Sequence, residues 1–293
     1  MDYLFHIGML IVIYSLFAAS LNLELGYAGL YNFGHVAFFA IGAYATALLS
    51  LAGVPVYLAM TSGMIAAAIA GLLLSYPALR LAGDYFGVAT LVFAEMARLV
   101  LLNERWLTKG PMGLPGIPRP PGVSAGMTGL PDFILLALFV AVIGFLFLRR
   151  VVNSPFGRAL KVVREDPFVA QAFGKNVVSL QRRAMVIGSA LAGLAGVIYA
   201  HYMSFISPAD FTLTETILVL LCVIVGGRGT LLGSVAGAAL MILVAESIRF
   251  LPIPESWFRI VAPIQGMCYG LLLLVMMRVR PQGLIAESKV RNA

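Results

Sequence analysis

The chain alternates long apolar runs with short breaks rich in glycine, proline or charge. A helix that crosses a membrane needs about 20 mostly apolar residues. Nine stretches approach or exceed that length: residues 4–25, 34–53, 56–79, 84–103, 132–150, 184–206, 213–227, 231–250 and 259–278. The seventh is short and ends on Gly226-Gly227, which fits a broken or partly inserted helix. Small residues recur every fourth position in three places: Gly63, Ala67 and Gly71; Gly188, Ala192, Gly196 and Ala200; Gly229, Gly233 and Gly237. Lipid is as apolar as leucine, so helices in a bilayer associate through close packing, and smooth stripes of this kind predict a compact bundle.

Composition turns this pattern into a fold class. Of 293 residues, 61% are hydrophobic and 11% charged, against about 25% charged in soluble domains. Mean hydropathy is +0.97. So little charge cannot coat a soluble globule, which excludes a soluble multi-domain enzyme, a disordered chain and a fibrous one. The expected architecture is an all-α polytopic membrane protein. It forms one domain over residues 1–293, a bundle of about nine (eight to ten) transmembrane helices, with glycine-rich segments as candidate breaks or re-entrant turns. No Lys or Arg precedes the first apolar run, so it lacks the basic start of a signal peptide and is expected to remain as a helix. Cys222 and Cys268 lie in separate apolar runs and read as buried thiols rather than a disulfide or metal site.

Charge gives the orientation. The chain has 20 Lys and Arg against 13 Asp and Glu, a net +7. Eight of the 20 fall between 149 and 183: Arg149, Arg150, Arg158, Lys161, Arg164, Lys175, Arg182 and Arg183. Basic loops stay on the cytoplasmic side, so this segment is expected inside, with the tail 279–293. Segment 207–215, without Lys or Arg, is expected outside. Alternation then places Arg228 and Arg80 inside and 104–131 outside. Strict alternation puts the N-terminus outside, and a re-entrant segment near 26–36 would reverse that end.

Polar groups in the runs are few. Glu95 and Arg98 stand three apart on the fourth and can pair on one helix face; Glu95, the deeper, is expected to face protein or a water-filled cavity. Glu24, His35, His201, Glu215 and Glu246 lie near span ends, where a satisfied interfacial residue and a proton relay are both compatible with the pattern. His6, His35 and His201 make no convincing metal site. Zinc-protease, Cys-x-x-Cys and phosphate-loop motifs are absent from the sequence. Two segments look alike: Gly26-Tyr-Ala-Gly29, leading into Asn32, Gly34 and His35, and Gly226-Gly227-Arg228-Gly229-Thr230. Each opens Gly-x-x-Gly between apolar runs, which fits tight turns and equally an internal duplication with unwound backbone facing a polar route.

The basic segment 151–183 carries its own helix signals. Ser154-Pro155 reads as an N-cap with proline at the first helical position. The following turns place Phe156, Leu160 and Val163 on one face and Arg158, Lys161 and Arg164 on another. Asp166-Pro167 starts a second short helix, Phe168 to Phe173, with Gly174 as its stop. Two short amphipathic helices at a membrane surface can bind anionic lipid or lie in a groove of a partner protein.

Four motifs in order carry a resemblance. They are Asn22-Leu-Glu-Leu-Gly26-Tyr-Ala-Gly29 with Asn32-Phe-Gly34-His35; Gly83-Asp84-Tyr85-Phe86 with Thr90, Leu91 and Glu95 and the loop 107–117; Ser154-Pro155-Phe156-Gly157-Arg158-Ala159-Leu160 with Arg164-Glu165, Ala170 and Gly174; and Gly226-Gly227-Arg228-Gly229-Thr230 with Gly233 and Gly237. Over residues 15–285 the chain resembles the LivM-type permeases of bacterial ABC importers for branched-chain amino acids. One position departs: the loop commonly reads Thr-Gly-Gly, and here Lys109 replaces the first glycine, putting close backbone packing there in question.

The resemblance implies a permease in the bacterial inner membrane, C-terminus cytoplasmic, paired with a non-identical LivH-like subunit. It also implies two cytoplasmic ATPase subunits and a periplasmic solute-binding protein. The chain is expected to hold no cofactor, ATP and magnesium being bound by the partner subunits. Pro155, Phe156, Gly157, Arg158, Leu160, Arg164, Glu165, Ala170 and Gly174 are the candidate ATPase-coupling residues, and the likeness shifts the lipid-or-partner question towards the partner. Gly26, Gly29, Asn32, Gly34, His35, Glu95, Gly226, Gly227, Gly229 and Thr230 are the candidates for the translocation path. The expected activity is import of branched-chain or related amino acids. Urea or another small polar solute is the alternative cargo, and an ion-coupled secondary transporter relying on Glu95 is the alternative class.

Overall fold

The computed structural model describes residues 2–81, 84–120, 130–247, 266–267, 269–271, 274–276, 278–280 and 282–287. Helices dominate: α1 (Asp2–Asn22), α2 (His35–Leu51), α3 (Val56–Ala78), α4 (Asp84–Asn103), the short α5 (Arg105–Thr108), α6 (Leu130–Asn153), α7 (Pro155–Glu165), α8 (Pro167–Ala172), α9 (Val177–Met203), α10 (Leu213–Gly226) and α11 (Leu231–Ser247). Among the described residues, six helices are long and apolar enough to cross a membrane, and α2 and α11 are shorter apolar helices. The chain is thus an all-α multi-pass membrane protein. The expected ninth crossing at 259–278 lies largely outside the described residues, as do Gly83 and Cys268.

Two details depart from plain helix. The wall of α1 ends in a π-turn, Leu23–Tyr27, an extra residue per turn of the kind that gathers at functional places in helices. The other departure is a two-residue antiparallel bridge, β1 (Leu114–Pro115) with β2 (Phe205–Ile206). It ties the 105–117 loop to the end of α9, and the Gly116 and Ile117 amides add bonds to the Ser204 carbonyl. Lys109 adopts φ +58°, the left-handed backbone that glycine tolerates best. Close packing survives next door, where a Cβ on Gly110 would press on the Leu102 carbonyl.

The small-residue stripes do what bilayer packing requires. α2, α3 and α9 form one tight layer and α1, α10 and α11 another, with α1 also against α6 and α9. A Cβ on Gly196 would strike the Phe39 carbonyl, one on Gly42 the Gly193 backbone, and one on Gly237 the Cys222 carbonyl. Backbones approach closely at these crossings because nothing larger than hydrogen stands between them. Aromatic rings of Phe17, His35, Phe39, Tyr199 and Phe211 continue the core from α1 through α2 to α9 and the start of α10.

Buried polar side chains fasten the layers. Tyr14 donates to Glu215 at 2.5 Å and Tyr3 to Glu246 at 2.7 Å, bonding α1 to α10 and to α11. His201 bridges the Pro118 carbonyl, 2.7 Å from Nδ1, and the Thr46 hydroxyl, 3.0 Å from Nε2. A polar group without a partner costs several kcal/mol away from water, so these pairs fit the satisfied reading and need no relay.

Candidate functional site

The two glycine segments meet at one end of the bundle. Asn22, fully buried on the last turn of α1, makes the junction. Its Nδ2 donates to the Thr230 carbonyl and to Ser234 Oγ, each at 2.8 Å, and its Oδ1 accepts from the Gly229 amide at 3.0 Å. Gly26 has to be glycine here, since a Cβ would overlap the Asn22 carboxamide and lie 2.5 Å from the Gly229 nitrogen. Arg228 completes the contact by donating to the Tyr31 hydroxyl at 3.2 Å. Gly29 and Gly229 occupy the same place in the two segments and share the left-handed backbone, φ +71° and +75°.

Behind the first turn lies a wholly buried polar cluster. Asn32 donates to Glu24 Oε2 at 2.7 Å and accepts the Gly34 amide at 2.8 Å. Ser20 donates to the Phe17 carbonyl at 2.7 Å and stands 2.8 Å from His35 Nε2. With the serine proton on that carbonyl, Ser20 Oγ accepts from His35 Nε2. His35 Nδ1 is then left facing Glu24 Oε1 at 3.5 Å, and neither atom has a hydrogen bond among the described residues. Glu24 is therefore no interfacial residue. It sits inside the bundle, packed on Gly188, whose Cβ would meet its Oε1.

The segment 154–174 folds as its caps dictate. Ser154 caps α7 by accepting from the Gly157 amide, and Asp166 caps α8 by accepting from Phe168 and Val169. Gly174 ends α8 at φ +70°. Leu160 and Val163 are buried, and Val163, Ala170 and Val177 form a small core that binds α7 and α8 to the foot of α9. A Cβ on Gly157 would strike the Val152 carbonyl, so Gly157 faces inward and allows α7 to fold back under α6. Phe156 is half-buried, and Pro155, Arg158 and Glu165 look outward.

Arg164 turns the other way. Its Nη1 donates to the Gly26 carbonyl, and its Nη2 pairs with Glu165 at 2.7 Å and Glu287 at 3.0 Å. Burial opposes the Arg164 charge, and the hydrogen bonds and charges of Glu165 and Glu287 outweigh it, holding its pKa above the ordinary arginine value. Lys161 pairs with Glu287 at 2.5 Å and lies over the Tyr27 ring. The chain from Gly283 to Glu287 is laid across the second turn: the Leu284 amide bonds the Val225 carbonyl at 2.8 Å, the Ile285 amide the Gly226 carbonyl at 3.0 Å, and Thr230 Oγ1 the Ile285 carbonyl at 3.2 Å. Gly227 (φ +125°) and Gly283 lie backbone to backbone beneath it.

The structure thus gathers Gly26, Gly29, Gly226, Gly227, Gly229, Thr230 and Arg164 at one junction, with Asn32, Gly34 and His35 directly behind it. Glu95 stands apart on α4, paired with Arg98 by two bonds of 3.0 and 2.5 Å. It lines an open cavity of about 220 Å³ with Val36, Leu91, Ala94, Phe211 and Leu213. Sequence reasoning missed Asn22 as the tie, Glu24 as a core residue, and Lys161 and Glu287 as an ion pair; each depends on a partner far along the chain.

What the junction can do is mechanical. A push on α7 reaches Gly26 through Arg164, the second turn through Glu287, and α1 through both. On the outward side, Phe168 and Phe173 of the α8 segment are more than three-quarters exposed, 79% and 76%, beside Val162 and Val169.

Residues 3–277 match the family described as the permease component of the branched-chain amino acid transport system. The chain is 32% identical to the high-affinity branched-chain amino acid transport system permease protein LivM of Escherichia coli K12, over 97% of this chain and 70% of that one. It is 28% identical to a probable branched-chain amino acid transport permease protein LivM of Methanocaldococcus jannaschii, over 95% and 92%. It is also 26% identical to the permease protein LivH of Salmonella typhimurium, over 95% and 93%. No solved structure matches the chain.

Proposed function

The chain belongs to the branched-chain amino acid transport permease family, and on that premise we propose that it is one of two non-identical permease subunits of an ABC importer. The cargo is a branched-chain or closely related amino acid, delivered by a periplasmic binding protein and moved into the cytoplasm. ATP is hydrolysed on two cytoplasmic ATPase subunits, one of which receives α7 and α8. The bundle crosses the inner membrane about nine times (eight to ten), with the C-terminus inside.

One observation carries this reading. The most basic segment folds into two capped helices whose inner side is bonded to the first glycine turn, and through Glu287 to the tail laid on the second, while its outer side bares Phe168 and Phe173. An interfacial lipid-binding helix has no use for a rigid linkage to the spans, whereas a helix in a partner's groove does. Contacts agree with the orientation read from charge: the turns at 26–31 and 227–230, the segment 154–165 and the tail 283–287 share one end. The 105–117 loop and the 203–206 strand share another.

The test is uptake by the importer, both permeases and both ATPases, reconstituted with its binding protein. Leucine uptake is expected to require ATP and to persist when the proton gradient is collapsed at constant ATP. Uptake that follows the gradient and ignores ATP would refute the proposal in favour of ion coupling.

A further inference from the structure

We propose that Glu95 and Arg98, with the apolar groove beside them, form a binding site for the amino acid in transit: the carboxylate takes its ammonium group, the guanidinium its carboxylate, and the groove its branched aliphatic side chain. This rests on the permease reading and adds to it the place where cargo pauses.

Depth is the first argument. α4 has 20 residues and at about 1.5 Å per residue matches the roughly 30 Å hydrocarbon core. Glu95 lies about eleven residues in, near the middle. Its side chain is 48% exposed there. A carboxylate at that depth cannot face lipid without a cost of a few kcal/mol even on the mildest scales, and its pairing with Arg98 offsets only part of this. The face of α4 that carries it therefore meets a polar route. α10 closes the cavity from the other side: it belongs to a candidate span of 19 residues, Pro208–Gly226, near whose start Phe211 and Leu213 stand beside Glu95.

Chemistry is the second argument. The pair bonds through Arg98 Nε and Nη2 to the two oxygens of Glu95. Two of five guanidinium N–H groups and two of about four carboxylate acceptor positions are used by it. Enough remain on each partner to bind a zwitterion side-on without separating the pair. A charge pair of opposite signs three residues apart complements a molecule whose own opposite charges are one carbon apart. Val36, Leu91, Ala94, Phe211 and Leu213 line the rest, apolar and without hydrogen-bonding side chains, which suits an aliphatic branch. The cavity, about 220 Å³, is below the roughly 300–1,000 Å³ of drug-sized pockets and scaled to one amino acid.

The experiment labels the reconstituted importer during turnover with a photoreactive diazirine analogue of leucine and maps the adducts by mass spectrometry. Adducts are expected on Leu91, Ala94 and the 211–213 segment. Leucine should compete them away, whereas 4-methylpentanoate, which lacks the ammonium group, and isoamylamine, which lacks the carboxylate, should not. Glu95→Gln should lower both labelling and uptake roughly tenfold or more, the scale of a lost charged hydrogen bond, and Glu104→Gln, on the exposed loop, should change neither. Adducts confined to other segments, equal competition by 4-methylpentanoate, or wild-type labelling in the Glu95→Gln importer would each overturn the site. Should that variant fail to assemble, the competition pattern in the wild type decides. A wild-type importer with no ATP-dependent leucine uptake would instead overturn the permease reading beneath it.

Discussion

Asn22 commits both amide hydrogens and its carbonyl to residues more than 200 positions away. Inside a bilayer those bonds have no water to replace them. Asn22→Ala leaves the Gly229 amide and the Thr230 carbonyl with one partner fewer, at about 1–3 kcal/mol for each buried group left unpaired. The expected result is a thermal unfolding midpoint several degrees lower in detergent, read by intrinsic fluorescence. Gly26→Ala should be worse, because its Cβ would meet backbone and side chain together. Gly53→Ala serves as the comparison: the same residue type at positive φ, with open space around it, should cost only about 1–2 kcal/mol of backbone strain. Equal losses at the two glycines would deny the junction its role.

At the scale of elements, α7, α8 and the tail act together. Glu287 holds Lys161 and Arg164 at once, so Glu287→Lys replaces two attractions with two repulsions. Uptake is expected to fall severalfold while the four subunits still copurify; the lost coupling should be partly recovered by Lys161→Glu in the same chain. Phe168→Ala with Phe173→Ala removes apolar surface that touches little of this chain. Copurification with the ATPase should drop sharply, and the permease's own unfolding midpoint should stay within about a degree. These elements differ in how far sequence discloses them. Ser154-Pro155, Asp166-Pro167 and Gly174 are local signals, and α7 and α8 begin and end where they say. The stripes at 63–71 and 188–200 predicted close packing but no partner, and the structure sets them against each other. The π-turn at 23–27 has no such signal, because an extra residue in a turn is stable only once Asn22 finds Thr230 and Ser234. Glu287 likewise looks like one more tail charge until the fold brings Lys161 beneath it. Glu95 was read in the right pair, while its groove needed α2 and α10 to come together.

For the whole molecule, the described helices divide into buried and outward faces. α1 and α9 are the most enclosed of the candidate spans, and α4 and α6 the least, each with 22% of its apolar window buried. Lipid can cover α6, whose outward residues are apolar, Val142 and Phe147 among them. Covering the Glu95 face of α4 with lipid would cost a few kcal/mol. A cysteine at Ala94 should therefore react with a membrane-impermeant maleimide in the assembled importer, and one at Val142 should not. Equal labelling of both would mean that α4 lines no aqueous route.

The tail clasp also sets an order of events during synthesis. Glu287 leaves the ribosome more than a hundred residues after Arg164, which at roughly 5–20 residues per second is a delay on the order of ten seconds. For that interval the α7 segment has its caps and its small core but lacks the counter-charge that holds Lys161 and Arg164 to the bundle. A segment that is capped early in synthesis is thus clamped to the bundle only late in it.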